Sequence, residues 1–512
     1  MVPRRAHEVL IGTRRASGPR ATNGALLLLA LLAAAGASSV QASEAPVASR
    51  QHARIAGATL TYTAEIGRLP IRDVETGEPR GYMGYVSYRV PVKRGRAPRP
   101  VTFVWNGGPG ANSSLLHFFA AGPRRVEGAQ LVDNEDSWLS ATDLVMVDPI
   151  GTGFSRPAKP EYAAEFYGTR GDVASVTEFV RSWLLLNEAD DAPLFLAGES
   201  WGAGRAAQVA HALLSRGRRV DGIVLISGGW GLNSEVIPTH LRRALEVVDM
   251  ASAALFHGRS APELGSDAGQ LRRAAEAFAR GTYAPALARV MELTPRERDT
   301  IASELARYTG IDSGAIDRKT LVIAPRQFRT GLLAHRGETA YVFDLRRTSP
   351  PAEAGRAAML RYLRRDLGFR TDLSYVGLEP ASDGYAANGT YPASVGARWD
   401  YATAAVTAEE RSAAMAAAAA AGSGPPRLGP PLPATAEALA LQPRLRVHVA
   451  AGLYDSFLAC ASGAEIERLL PSALRDAIRF KCYGGGHAMY EDAAVRAELA
   501  RDLRALFSWS AQ

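Results

Sequence analysis

Ser200 is a residue whose surroundings indicate a chemical role. It lies at the centre of residues 198–202 (GESWG), between an apolar run typical of a strand and a segment typical of a helix. In that context the Gly-x-Ser-x-Gly pattern places the serine on a tight turn and exposes its hydroxyl. The helix that follows directs its N-terminal dipole at negative charge that develops nearby. The pattern alone also occurs by chance, but its position between strand and helix predicts a nucleophile for acyl transfer.

A serine nucleophile needs a base, and His487 is the best-placed histidine. It ends a glycine run in residues 483–487 (YGGGH), directly after the last apolar run, where glycine lets an imidazole reach over a sheet edge. Asp455 follows the preceding apolar run, where an acid fixes the tautomer of the imidazole and stabilises its protonated form. The alternatives are a core histidine and a turn aspartate. The chain order Ser200, Asp455, His487 instead predicts a catalytic triad.

Backbone donors for an oxyanion hole are expected in residues 106–110 (NGGPG), which follow an earlier apolar run. Glycine has no Cβ to block the approach of a substrate, and the amide of Trp201 would supply the second donor. A phosphate-binding loop is the alternative. It is disfavoured because no Gly-Lys-[Ser/Thr] follows and Pro109 interrupts the loop.

The predicted strands and helices that position these residues alternate regularly along the chain. An antiparallel N-terminal region precedes short apolar runs that alternate with helices, which predicts a mostly parallel sheet covered on both faces. The expected architecture is the α/β-hydrolase fold, with a central sheet flanked by helices. The predicted strands cover 100–105, 143–148, 193–197, 223–227, 445–450 and 478–482, and the predicted helices cover 167–186 and 201–215.

The alternation of strands and helices is interrupted over residues 232–400, where helix-forming segments occur without intervening strands. Because strands of one sheet are predicted on both sides, we interpret this segment as a largely helical cap inserted into a core of residues 49–231 and 441–512. A free-standing second domain is the alternative. Residues 401–440, rich in Ala, Gly and Pro, are predicted to be a low-complexity linker.

Residues 1–42 have the composition of a signal peptide for Sec-type export. Arginines precede the apolar residues 24–36, and small residues at 40–42 offer a cleavage site. A membrane anchor is the alternative, but a spanning helix needs about 20 apolar residues. Five Arg and one Glu in this leader account for +4 of the net charge of +7, so the basic balance does not indicate a nucleic-acid partner. We expect a secreted or periplasmic protein without a membrane anchor after cleavage.

Five separate segments resemble the serine carboxypeptidase family, in particular a bacterial-type member. They are WNGGPGANSS, DSWLSATDLVMVDPIGTGFS, GESWGAG, AGLYDSFLAC and GGGHAMY, in that order. The resemblance implies an α/β-hydrolase that removes single residues from peptide C-termini through an acyl-enzyme. It implies an oxyanion hole formed by Gly108 and Trp201. It also implies that Asn106, Gly107 and Glu199 bind the substrate's terminal carboxylate, which a glutamate can do only if one of the two acids is protonated.

The sequence departs from the family pattern at one binding position. Family members place a second glutamate shortly after the glycine loop, and Ala120 occupies that place here. Glu127 is a distant substitute, and Arg124 or Arg125 is the alternative partner for a carboxylate. The family's usual tyrosine after the nucleophile is Trp201, which is tolerable if only the backbone amide matters.

Cys460 and Cys482 are the two cysteines of the chain, and they lie beside the acid and histidine loops. We predict that they form one disulfide that braces these loops. Two buried free thiols are the alternative, although an exported chain favours oxidation.

These features together predict an exported serine carboxypeptidase-like hydrolase that acts on peptides. A serine esterase or acyltransferase on the same fold is one alternative, and an inactive scaffold that binds peptides is another. The chemistry needs no organic cofactor, and the sequence has no His-Glu-x-x-His metal motif. The oligomeric state and the preferred side chains of the substrate do not follow from the sequence.

Overall fold

One ten-stranded sheet forms the centre of the protein in the computed structural model. The structure describes residues 45–232, 236–351, 355–379, 395–400 and 434–509. The strands are β1 (Val47–Ile55), β2 (Ala58–Arg72), β3 (Pro79–Arg89), β4 (Val101–Trp105), β5 (Arg124–Glu127), β6 (Gln130–Asp133), β7 (Asp143–Asp148), β8 (Arg156–Pro157), β9 (Leu194–Glu199), β10 (Gly222–Ile226), β11 (Arg446–Gly452) and β12 (Ile478–Tyr483).

The order across the sheet is β1-β2-β3-β7-β4-β9-β10-β11-β12, with β8 beside β3 and with β5 and β6 in a separate hairpin. The pairings from β1 to β7 are antiparallel, and those from β7 to β12 are parallel. This arrangement confirms the predicted α/β-hydrolase fold. Because the parallel strands point the same way, the turns after β4, β9, β10, β11 and β12 all lie at one edge of the sheet.

The central strands are buried on both faces, as continuous apolar runs require. Every residue of β4, β7, β9 and β10 is buried. Alternate residues of a strand face opposite sides of the sheet, so Leu194 and Leu196 pack in one apolar cluster while Phe195 and Ala197 pack in the other. The predicted strand 143–148 and helix 201–215 have the observed bounds, and the other predicted elements differ from the observed ones by one or two residues.

Helices cover the sheet and fill the segment between β10 and β11. The α-helices are α1 (Ala163–Phe166), α2 (Thr169–Leu186), α3 (Trp201–Ser215), α4 (Thr239–Phe256), α5 (Ala268–Phe278), α6 (Ala284–Ala288), α7 (Pro295–Thr309), α8 (Pro325–Leu332), α9 (Arg356–Arg361), α10 (Ala434–Leu441), α11 (Cys460–Leu469), α12 (Ser472–Ala477) and α13 (Ala493–Trp509). Among the described residues, none of these helices combines the length and apolar character that a transmembrane span requires.

Residues 232–400, predicted as one cap, do not pack as one body in their described part. Buried apolar side chains from 237 to 345 form a cluster of their own. Residues 359–378 instead join the cluster on one face of the sheet, where the ring of Phe154 contacts Phe369 and Tyr375. Phe369 and Tyr375 are buried there, so this part of the insertion contributes apolar side chains to the core of the sheet.

The predicted signal peptide, residues 1–42, lies outside the described residues, and so does most of the predicted linker. The last residues of the predicted linker are helical instead. Residues 434–441 form α10, which packs on α3. Its sequence, ATAEALAL, is rich in strong helix formers, and Ala438 and Leu439 are buried.

Cys460 and Cys482 are joined by a disulfide. Cys460 is the first residue of α11, which follows the loop that contains Asp455. Cys482 lies in β12, which leads to His487. The covalent link therefore ties the segment that follows the Asp455 loop to the strand that leads to His487.

Removing the disulfide should destabilise the protein without preventing folding. The bond closes a loop with a sequence separation of 22 residues, and a loop of that size corresponds to about 3 kcal/mol of lost chain entropy in the unfolded state. We expect Cys460→Ala with Cys482→Ala to lower the free energy of unfolding by about this amount in urea titrations. Wild-type protein titrated after reduction is the matched control. A double variant as stable as the oxidised wild type would contradict the role of the brace.

Candidate active site

Ser200 occupies the turn between β9 and α3 in a strained backbone conformation. Its φ is +57° and its ψ is −123°, a region that non-glycine residues rarely adopt. The turn is held in place because the backbone N–H of Ser200 donates to the carbonyl of Ile226, at 2.8 Å. Such strain persists only where surrounding structure imposes it, and it is common at functional sites. Ser200 lines a cavity of about 870 Å³ at the sheet edge.

His487 reaches the same cavity from the loop after β12. The backbone N–H of His487 donates to the carbonyl of Phe343, at 2.6 Å. The backbone carbonyl of His487 accepts a hydrogen bond from the hydroxyl of Ser227, also at 2.6 Å. A Cβ at Gly486 would stand 2.6 Å from the carbonyl oxygen of Phe343. Glycine is needed there because the histidine loop lies directly against residue 343.

Asp455 and His487 form the central polar contact of the site. Oδ2 of Asp455 lies 2.7 Å from Nδ1 of His487, and Oδ1 accepts a hydrogen bond from the backbone N–H of Phe457, at 2.9 Å. The carboxylate is fully buried. Burial lowers the pKa of His487, but the hydrogen bond and charge of Asp455, together with the charge of Glu199, outweigh it and raise that pKa above 6.5.

The second ring nitrogen of His487, Nε2, is itself buried. Within the described part of the chain, Nε2 has no hydrogen-bond partner, so it makes no hydrogen bond to the hydroxyl of Ser200. Both side chains nevertheless line one cavity. The rings of Phe343 and Phe457 flank the imidazole, with centroid distances of 5.1 and 5.6 Å. The structure thus brings the three predicted residues to one place and orients Nε2 by fixing Nδ1 on Asp455.

The predicted oxyanion donors also meet at this cavity. Trp201 is the first residue of α3, and the first N–H groups of a helix point out of its N-terminus. The amide of Gly108 makes no backbone hydrogen bond in the described ranges, and Gly108 lines the cavity. Gly107 brings the two segments together, since a Cβ there would stand 2.5 Å from the nitrogen of Trp201 and 2.5 Å from the carbonyl oxygen of Glu199.

Glu199 is a buried acid at the inner wall of the cavity. Its Oε2 accepts hydrogen bonds from the side-chain amide of Asn106 and from the hydroxyl of Tyr490, the latter at 2.9 Å. The backbone N–H of Leu116 donates to Oδ1 of Asn106, at 3.0 Å, which fixes the orientation of that amide. Burial raises the pKa of Glu199 to about 7, although His487, Tyr490 and Asn106 act in the opposite direction.

The other candidates for carboxylate binding lie elsewhere. Ala120 is buried in the short π-helix Leu116–Ala121. Arg124 forms an ion pair with Asp133 in the hairpin of β5 and β6, and Arg125 lies 3.3 Å from Glu127 in β5. None of these residues lines the cavity, so the expectation that Arg124 or Arg125 contributes is wrong. The reason is that the hairpin positions their side chains against its own acids.

Several residues of the site carry no signal in the sequence. Phe343, Arg347 and Glu491 line the cavity, and Tyr490 holds Glu199. Arg347 lies 3.4 Å from Glu491. Nothing in local pattern links residue 343 to residue 487, because the contact comes from the packing of the insertion. Tyr490 is close to His487 in sequence, but the direction of its side chain is a tertiary feature.

A strained serine after a central parallel strand, with an acid and a histidine after the last two strands, defines an α/β-hydrolase. Residues 85–225 match the family model described as serine carboxypeptidase. Over these residues the chain is similar to serine carboxypeptidases. The match includes Ser200 and the 106–110 loop but ends before Asp455 and His487.

Sequence relatives include two pheromone-processing carboxypeptidases. KEX1 of Ajellomyces capsulatus is 33% identical and kex1 of Pyrenophora tritici-repentis is 34% identical, and each match covers 26% of this chain and 22% of the relative. The chain therefore spans about a quarter of the length of the curated relatives it matches. These relatives are fungal, so the prediction of a bacterial-type member stays a prediction.

Solved structures to which this chain shows similarity include KEX1(delta)p, a prohormone-processing carboxypeptidase of Saccharomyces cerevisiae. Its TM-score is 0.47 at 15% identity, over 87% of this chain and 90% of that chain. A proline iminopeptidase of Mycobacterium smegmatis has a TM-score of 0.33 at 12% identity, over 87% of this chain and all of that chain.

Gly107→Ala should disable the site, whereas Gly484→Ala should not. A methyl group at residue 107 would displace the amide of Trp201, and loss of one oxyanion donor typically lowers kcat by about 100-fold or more. No atom lies within 4 Å of the position that a Cβ would take at Gly484, so that variant is the matched control. Ester hydrolysis under saturating substrate measures kcat for both. Equal rates for the two variants would contradict the placement of the donors.

Proposed function

We propose that this protein is an exported serine-type carboxypeptidase that cleaves C-terminal residues from peptides through an acyl-enzyme. The observation that carries the proposal is the 2.7 Å contact between Asp455 and His487 beside a strained serine in one cavity. The proposal assigns Ser200 as nucleophile, His487 as base and then acid, and Asp455 as the residue that orients the imidazole. An inactive scaffold would have no need of a buried acid that fixes the tautomer of a cavity-facing histidine.

In the first half of the proposed reaction, the hydroxyl oxygen of Ser200 attacks the scissile carbonyl carbon and its proton passes to Nε2 of His487. Contact between these two groups tightens when a substrate is bound, as is common for catalytic hydrogen bonds. The amides of Gly108 and Trp201 stabilise the oxyanion. The C–N bond then breaks, and His487 returns the proton to the leaving amine.

In the second half, water attacks the ester carbonyl of the acyl-enzyme and gives its proton to Nε2 of His487. The C–O bond to Ser200 breaks, and the serine oxygen recovers the proton. Asp455 stays ionised throughout and stabilises the imidazolium in both halves. The proposed reaction needs no metal ion and no organic cofactor, because proton transfer through His487 and the oxyanion donors stabilise its transition states.

Recognition of a free C-terminus rests on Glu199 in this proposal. Its neutral form donates a hydrogen bond to the terminal carboxylate of the substrate, and its ionised form repels that carboxylate. Asn106 and the backbone at Gly107 border the same end of the cavity. A buried acid with a pKa of about 7 is suited to this task because it is neutral over a wide acidic and near-neutral range.

Export of the protein is supported by the composition of residues 1–42 and by the disulfide. The leader combines arginines, an apolar stretch and small residues at its end. Disulfides persist in oxidising compartments, and Cys460 and Cys482 form one.

Labelling with a fluorophosphonate tests the serine. We expect stoichiometric labelling of wild-type protein at Ser200, and no labelling with a loss of turnover of at least about 10⁴-fold in Ser200→Ala. A blocked dipeptide with a free C-terminus should be cleaved, and a blocked ester of similar size serves as the comparison substrate. Labelling and ester cleavage without cleavage of the free acid at any pH would show an esterase. No labelling would show an inactive scaffold.

The pH dependence separates the two titrating groups. Protonation of His487 lowers the rate for every substrate as the pH falls through its raised pKa, so it cancels in a ratio. The ratio of kcat/KM for a free-acid peptide to that for its amide should fall as the pH rises through about 7, because Glu199 ionises there. Glu199→Gln should make this ratio independent of pH. A ratio that still falls near pH 7 in the variant would remove Glu199 from recognition.

Glu491→Gln is the matched control for that experiment. It also removes one acid from the cavity wall, but it leaves Glu199 in place. The charge of Glu491 raises the pKa of Glu199, so its removal should shift the fall in the ratio to lower pH without abolishing it.

A further inference from the structure

The two carboxylate oxygens of Glu199 have different surroundings. Oε2 accepts both hydrogen bonds, from the side-chain amide of Asn106 and from the hydroxyl of Tyr490. No donor reaches Oε1 within the residues that the structure describes, and this oxygen is not sealed from solvent, so it faces the cavity that Glu199 lines. The acid thus has one oxygen bound to protein and one presented to a substrate.

This asymmetry decides where a proton resides on the neutral acid. The nitrogen of Asn106 can only donate, because its oxygen is occupied by the N–H of Leu116 and the amide is therefore not flipped. A proton on Oε2 would oppose that donor and displace the phenol hydrogen of Tyr490. A proton on Oε1 leaves both hydrogen bonds to Oε2 in place. That O–H points into the cavity, where a substrate carboxylate can accept a hydrogen bond from it.

Tyr490 is held rigidly enough to impose this asymmetry. It is fully buried and lies in the 3-10 turn Met489–Glu491, three residues after His487. Its hydroxyl donates to Oε2 of Glu199 at 2.9 Å, across a sequence separation of 291 residues. The loop that contains His487 therefore also contains Tyr490, which donates a hydrogen bond to Glu199.

We propose that Tyr490 is a positioning residue for substrate recognition, which confines the proton of Glu199 to the cavity-facing oxygen and so selects peptides with a free C-terminal carboxylate. The inference rests on the proposed function and deepens it. A phenol restrains Glu199 through this hydrogen bond without adding a second negative charge to the site. Tyr490 touches no reacting atom in this account and acts through Glu199.

The charged groups around Glu199 are few. His487 and Glu491 face it across the cavity, and Tyr490 and Asn106 bond it. Behind Asn106, the guanidinium of Arg205 on α3 donates to the carbonyl of Asn106, at 2.9 Å, and is paired with buried Asp172. Because that ion pair is internally neutral, the hydrogen bond from Tyr490 is the contact that a single conservative substitution can remove without changing the net charge.

The test is Tyr490→Phe, with Tyr483→Phe as the matched control. Both changes remove one hydroxyl and keep a buried ring, but the hydroxyl of Tyr483 donates to Asp502, and neither of these two residues lines the cavity. The readout is the ratio of kcat/KM for a free-acid peptide to that for its amide, measured across pH. Labelling by a fluorophosphonate checks that the site of each variant is assembled.

In Tyr490→Phe, the fall in the ratio should move to higher pH by about one unit, because the lost hydrogen bond stabilised the ionised form of Glu199. The ratio at its acidic plateau should drop several-fold, because the proton is no longer confined to Oε1. Tyr483→Phe should leave both quantities as in the wild type.

Two outcomes would overturn the inference. One is a ratio with an unchanged midpoint and plateau in Tyr490→Phe, and the other is a parallel loss for the acid and the amide, which would indicate a structural role alone. Failure of the proposed function is distinguishable, because wild-type protein would then leave the free-acid peptide uncleaved before any variant is compared.

Discussion

The buried hydrogen bond between Asp455 and His487 is the interaction on which the site depends. A carboxylate that is fully removed from water is destabilised unless it is bonded, and the imidazole and the N–H of Phe457 provide those bonds. The two partners follow adjacent parallel strands, β11 and β12, so the sheet sets their separation. With Nδ1 engaged, Nε2 is the ring nitrogen left without a hydrogen-bond partner among the described residues.

The insertion between β10 and β11 supports this bond as much as the sheet does. The carbonyl of Phe343 accepts the N–H of His487, and its ring lies beside the imidazole. On the other side of the acid, buried Asp249 of α4 accepts the N–H of Ala461 in the first turn of α11. Residues that sequence reasoning treated as a cover over the site thus hold both of its loops.

In the proposed reaction, Glu199 links the covalent chemistry to substrate choice. It is adjacent to Ser200 in the chain, and its charge favours the protonated form of His487. Burial opposes its ionisation, and donors on Oε2 direct its remaining oxygen toward the cavity. The proposed acid recognition and proton transfer would therefore be coupled electrostatically, and we expect the proposed reaction to be fastest where neutral Glu199 and neutral His487 coexist.

Apolar runs and the local Gly-x-Ser-x-Gly turn were enough to predict the sheet, the serine turn and the order of the three residues, because buried parallel strands are continuously apolar. Asp455 and His487 were predicted because both follow such runs. The side chains that support them could be identified only from the folded chain. Phe343 and Tyr490 contact His487 and Glu199 across long sequence separations, and the hairpin of β5 and β6 removed Arg124 from the site. Such contacts depend on how the insertion and the loops pack, and packing of this kind produces no periodic pattern of residues in the sequence.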